Sequence, residues 1–296
     1  MRPSTMVSNS LPVFSLAREV SDALELAIAQ ISHPCLERSN DAVIQLKLIF
    51  RDRKITNFMI DHVDSLLSMT VTQIRRLQSI LPSSAPEQKN QISQYCLNII
   101  ELLKAIFKPN NGSVTTKVTK ITLCELIYLL ITAMADCRAE TFPRGPKIFS
   151  SINILIIRII EYSEPTAVIC GLLGMLNMAL QVTKTDDLMN LVLKCESKLL
   201  KQFSAWERQG EIVSKQLDLE TIIREFHSFI KRHTVRKCNG NDITSMKVMQ
   251  SILFKLLTLV GTEVIYNTLD NISDIKDSKT AIFIKKVGAL TVDVGK

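Results

Sequence analysis

Cysteine and histidine are the residues best suited to nucleophilic or metal chemistry, and their spacing in this chain argues against both. The seven cysteines are Cys35, Cys96, Cys124, Cys137, Cys170, Cys195 and Cys238, and the nearest two stand thirteen positions apart. A structural zinc site draws on cysteine pairs only a few residues apart, and a compact disulfide framework needs an even, closely spaced set. The expectation is reduced, buried thiols. The four histidines, His33, His62, His227 and His233, fall in different segments, and no HExxH, GxSxG or glycine-rich phosphate loop occurs. Gly171 and Gly174 lie inside an apolar stretch and read as a close packing contact, while Asp186 and Asp187 read as a helix N-cap. These patterns predict no enzyme activity, no cofactor and no metal.

Charge is the more informative property. The chain carries a formal net charge of +7, which favours an acidic partner. Its sharpest cluster is Lys231-Arg232-His233-Thr234-Val235-Arg236-Lys237. Lys231, Arg232, Arg236 and Lys237 are the candidate partner-binding residues. Basic residues at a helix end are also favoured by the macrodipole, so a solvated helix terminus is the competing reading. Nucleic acid would want aromatic platforms among the charges, whereas Phe226 and Phe229 are spaced as core residues.

The elements that must carry these residues are helices. Hydrophobic residues make up 46% of the 296 positions and aromatics only 5%, with nine glycines and nine prolines, which disfavours a sheet-rich fold. A period near 3.6 recurs along the chain. It is carried by Leu16, Val20, Ala23, Leu24, Ala27, Ile28 and Ile31, by Ile92, Tyr95, Cys96, Ile99, Leu103 and Ile106, by Leu188, Leu191, Val192, Cys195 and Leu199, by Leu219, Ile222, Ile223, Phe226 and Ile230, and by Met246, Met249, Leu253, Leu256, Leu257 and Val260. Leu81–Pro86, Lys108–Gly112 and Phe142–Pro146 break the helices with turn residues. Eleven or twelve helices in one continuous body are predicted. Residues 1–14 read as a loose tail, 15–272 as a helical-repeat domain and 273–296 as a C-terminal tail. Short helix pairs with brief turns point to an all-α, HEAT-like α-solenoid of antiparallel helix pairs, with a compact bundle as the alternative.

Two apolar stretches bear on location. Phe149–Glu161, FSSINILIIRIIE, reads as an inner solenoid helix covered on most sides, with Arg158 seeking an edge or Glu161. Pro165–Thr183 is uncharged and nearly long enough to span a bilayer, but Pro165, Asn177 and Gln181 favour a buried core helix, so no membrane partner is expected. The N-terminus lacks a secretory signal, and a cytoplasmic address is the default.

Certain stretches resemble the last TOG-like domain of the Minispindles/ch-TOG microtubule polymerases. They are His62-Val63-Asp64-Ser65-Leu66-Leu67 with Gln73-Ile74-Arg75-Arg76, and Ser151 to Glu161 with Ser163 and Thr166. Lys194-Cys195, Leu199-Leu200-Lys201, the helix from Leu217 to Lys231, and Lys247-Val248 through Gly261 to Ile265 follow that domain's order, so that the similarity runs from about Leu16 to Ile272. The resemblance implies a TOG-like paddle and a non-catalytic module contributing to microtubule growth, spindle organisation or centrosome and plus-end targeting. It also implies a cytoskeletal, spindle-pole or centrosomal location, with tubulin, microtubules or a TACC-type adaptor as partner. Trp206 is the single tryptophan, and the early turn Ser32-His33-Pro34 has none, so the tubulin-contact residues of the upstream TOG domains have no counterpart here. The alternative function is a generic helical-repeat scaffold for an unrelated acidic protein.

Overall fold

The computed structural model describes residues 11–51, 56–136, 142–180, 186–209, 216–233 and 240–294. Among them there is no strand, and thirteen α-helices pack in an all-α, HEAT-like arrangement of antiparallel pairs. The chain divides at Lys117 and Val118 into two compact units.

The first unit holds α1 (Leu11–Gln30), α2 (Leu36–Ile49), α3 (Val63–Ile80), α4 (Pro86–Ile106) and the one-turn α5 (Gly112–Thr115). Both proline-marked breaks in this unit become single 3-10 turns, at Leu81–Ser83 and Pro109–Asn111. Pro86 then opens α4, where its missing N–H costs nothing, with Glu87 in the first turn and Lys104 in the last, each matching the helix dipole. Contacts join α1 to α2 and α3, and α4 to α2 and α3. Packing between neighbours and next-neighbours in sequence is the signature of a helical stack.

A buried polar knot ties these four helices together. Ser39 of α2 donates to the Ile31 carbonyl just after α1 and meets the Tyr95 hydroxyl of α4. Tyr95 also donates to Ile31 O at 3.2 Å, and Gln73 Nε2 of α3 lies 3.4 Å from Ser39 Oγ. The knot satisfies a carbonyl that the end of α1 would otherwise leave buried and unpaired.

The second unit contains α6 (Lys120–Ala135), α7 (Gly145–Tyr162), α8 (Pro165–Ala179), α9 (Asp186–Gln209), α10 (Leu219–His233), α11 (Gly240–Val260), α12 (Thr262–Asn271) and α13 (Lys279–Val294). Again i, i+2 packing recurs: α6 with α8, α7 with α9, α8 with α10, α9 with α11 and α11 with α13. The chain bends from α11 into α12 by 106° at Gly261, whose φ of 96° is open to glycine without strain.

Two expectations need correction. The helix read as covered on most sides, α7, is covered on one face only, whereas α8, read as a buried core helix, is enclosed as expected. In α7 the buried face is Ile152, Leu155, Ile156, Ile159 and Ile160, while Ile154 is 41% exposed and Arg158 half-buried. In α8, thirteen of fifteen residues are buried, because α6, α7, α9 and α10 all pack on it. Glu164 caps this helix, accepting from Thr166 N at 2.9 Å and Ala167 N at 2.6 Å, and Pro165 occupies its first turn. At fifteen residues it is too short to cross a bilayer, and no single helix among the described residues is long and apolar enough to do so. The second correction concerns the thiols: Cys35 is exposed, whereas Cys170 and Cys195 are buried.

Candidate interaction surface

The basic cluster begins on α10, so the site is built from that helix. Asp218 starts it: Oδ1 accepts from Thr221 N at 3.0 Å and Oδ2 from the Thr221 hydroxyl at 2.5 Å. These bonds hold the Asp218 carboxyl below its ordinary range. Thr166 Oγ1 accepts from Asp218 N at 3.0 Å, which anchors the start of α10 to α8. Ile222, Ile223, Phe226, Phe229 and Ile230 then form the buried face of α10, so both phenylalanines are core residues as their spacing predicts. His227 Nδ1 lies 2.9 Å from Thr280 Oγ1, pinning α13 alongside.

With one face of α10 committed to the core, its charged residues divide by position. Near the start, Arg224 pairs with Glu220 at 2.9 Å and Asp274 at 3.2 Å, and Glu225 accepts from Lys120 at 2.7 Å. Lys120 is held above its ordinary value despite partial desolvation, because Glu225 bonds its ammonium. In the last turn Lys231 and Arg232 are exposed, and Arg232 makes no ion pair among the described residues. Arg236 and Lys237 lie outside the described residues. The structure therefore places half of the predicted cluster on a solvent-facing helix end whose upstream charges are already matched.

No family model and no solved structure matches the chain. The chain is 23% identical to Protein MOR1 of Oryza sativa subsp. japonica over 69% of its own length, and 21% identical to Protein MOR1 of Arabidopsis thaliana over 58%. It spans only 11% and 9% of the length of those relatives.

The other residues singled out in the sequence have structural work. His62 precedes α3 and its Nε2 shares a hydrogen bond with Ser21 Oγ of α1 at 2.9 Å, with the Glu25 carboxylate 3.9 Å from Nδ1. Arg76 donates to the carbonyls of His33 and Pro34, both at 3.2 Å, and so clasps the α1–α2 turn. Gly171 packs close to α6, where a Cβ would lie 3.3 Å from Cys124 Sγ and from Ile127 Cδ1, but a Cβ on Gly174 would meet nothing within 4 Å, so only the first glycine makes the expected close contact. Burial pushes Cys96, Cys170 and Cys195 up to about 12 and Cys124 up to about 11, so none of these thiols offers a thiolate near neutral pH. Among the described residues no group of three His, Cys, Asp or Glu side chains is placed to hold a metal. A shallow cleft lined by Thr56, Asn57, Asn110, Asn111 and Ser113 carries no acid–base pair.

One buried group escapes any reading of the sequence. Glu196, on α9, is 0% exposed, and neither carboxyl oxygen has a hydrogen-bond partner. Burial pushes its carboxyl up to about 8. The stripe Leu188, Val192, Cys195 and Leu199 beside it is the one signal that could have located it, since a glutamate next to such a stripe sits at its edge or inside it.

Proposed function

We propose that the chain is a non-catalytic, microtubule-associated interaction module related to the C-terminal TOG-like domain of the Minispindles/ch-TOG family. The observation that carries the reading is the likeness to two MOR1 proteins over more than half of the chain, since MOR1 is a microtubule-associated protein of that family. The stack of helix pairs is the architecture such a module requires. In this reading residues 15–272 form the domain. Lys231, Arg232, Arg236 and Lys237 meet an acidic surface on tubulin or on a TACC-type adaptor, and the protein acts at the cytoskeleton in microtubule growth or targeting.

Co-sedimentation with microtubules, with and without a TACC adaptor and across a salt series, tests this. The parent is expected to pellet in at least one arm. Changing the four basic residues to Ser should weaken pelleting and flatten its salt dependence, because the contacts are screened over about 8 Å at physiological ionic strength. Its melting temperature should hardly move, since exposed charges at a helix end contribute little to folding. A parent that never pellets refutes the function. A quadruple variant that pellets like the parent at low salt leaves the cluster a solvated helix end and moves the surface elsewhere.

A further inference from the structure

Glu196 lies on the face of α9 that carries Val192, Cys195, Leu199 and Phe203, all buried. Glutamate is almost never fully enclosed unless paired, and an unpartnered anion there bears a solvation penalty that ordinary packing does not offset. The helices packed against α9 are α6, α7, α8 and α11, and no cation on them bonds the Glu196 carboxyl. α8 contains no charged residue. The half-buried cations on the others are Lys120 of α6, Arg158 of α7 and Lys255 of α11. Lys120 is engaged by Glu225 at 2.7 Å and Lys255 by Glu207 at 3.1 Å, and none of the three bonds the Glu196 carboxyl. The remaining titratable groups on these elements that are not fully exposed are Cys124 and Tyr128 of α6, Tyr162 of α7 and Cys170 of α8, beside Cys195 and Lys198 on α9 itself. The three thiols stay protonated at neutral pH.

We propose that Glu196 is a proton-operated latch of the second unit: α9 stays packed against its four neighbours while the carboxyl holds its proton, and loss of that proton loosens the packing. The sign follows from the two end states. Burial raises the folded carboxyl to about 8 from an ordinary 4.5, so on unfolding in the interval between them the group gives up a proton. Stability is then complete below about 4.5, declines about tenfold in the folding constant per pH unit, and levels off above about 8. Between pH 6 and pH 8 the folding constant should fall about fifty-fold. Such a latch responds to modest alkalinisation without any histidine, and it acts on the unit that carries the basic helix end.

The test is urea unfolding of the full chain at pH 6, 7, 8 and 9, in parallel with Glu196→Gln and Glu196→Met, and amide hydrogen exchange across α9. The ratio of the parent's folding constant to that of either variant should drop about fifty-fold from pH 6 to pH 8, with protection in α9 falling in step. A ratio constant to within about threefold over that range overturns the proposal. Infrared spectra of the parent alone supply an answer that needs neither variant to fold. A protonated carboxyl should persist in the folded protein at pH 7 and disappear with a midpoint near 8, and its absence at pH 7 also overturns the proposal.

Discussion

Replacing Tyr95 by Phe removes one hydroxyl from the centre of the first unit and leaves the ring in place. That hydroxyl donates to Ile31 O at 3.2 Å and meets Ser39 Oγ. After the change Ile31 O still accepts from Ser39, and Ser39 still has Gln73 Nε2 at 3.4 Å. No partner is fully orphaned, so the loss should be that of one or two neutral hydrogen bonds, about 1–2 kcal/mol. Ser39→Ala is more costly, because it takes a donor from Ile31 O and an acceptor from Gln73 at a site with 0% exposure; about 2–3 kcal/mol is expected. The Ser39–Tyr95 bond is lost in either variant. In the double variant, however, Ile31 O loses both donors and is left buried and unpaired, which outweighs the shared bond, so the double should cost about 1 kcal/mol more than the sum of the singles. Urea denaturation followed by helical circular dichroism measures all three. Additivity to within about 0.3 kcal/mol would show that the two hydroxyls act independently, and an unchanged midpoint for Tyr95→Phe would show that the knot contributes nothing.

Two further perturbations follow from packing. Ile156→Ala, at 3% exposure, should cost about 2–5 kcal/mol, while Ile154→Ala, at 41%, should cost under about 1 kcal/mol; equal shifts in denaturation midpoint would refute the assigned faces of α7. Gly288→Ala would drive a Cβ into Tyr266 Oη and set it 3.0 Å from Cζ, so a loss of about 1–3 kcal/mol is expected, partly recovered by Tyr266→Phe. Thermal melts that show no loss, or no recovery, would mean that α12 and α13 pack less closely there.

Helix formation was legible because it is local. Ile92, Tyr95, Cys96, Ile99, Leu103 and Ile106 repeat at helical spacing and all but the half-buried Cys96 are buried, and proline marks the breaks that became turns. How far Phe149–Glu161 is covered was not legible from composition. Pro165–Thr183 reads as a buried core helix from its lack of charge, and four helices do enclose Pro165–Ala179, but Phe149–Glu161 is also strongly apolar, and only the packing partners reveal that Ile154 lies in solvent. The helix at Lys279–Val294 is faint in sequence, since its core positions are few, Ala281, Ile284 and Val287 among them, and Gly288 interrupts them. The polar knot joins Ser39 to Tyr95 across 56 positions, a separation at which local pattern carries no information. At the basic cluster, charge alone marked the helix end. What the structure adds is that Arg224 and Glu225 are already matched and that Lys231 and Arg232 are exposed.

The enclosure of α8 also constrains the order in which the chain can be made. Two of its four covering helices, α6 and α7, precede it and two, α9 and α10, follow. A nascent chain therefore holds fifteen residues of nearly uninterrupted apolar surface half-covered until synthesis has reached His233. A polypeptide ending anywhere between Ala179 and Leu219 would carry that surface permanently, and would depend on chaperones or aggregate where the longer chain folds.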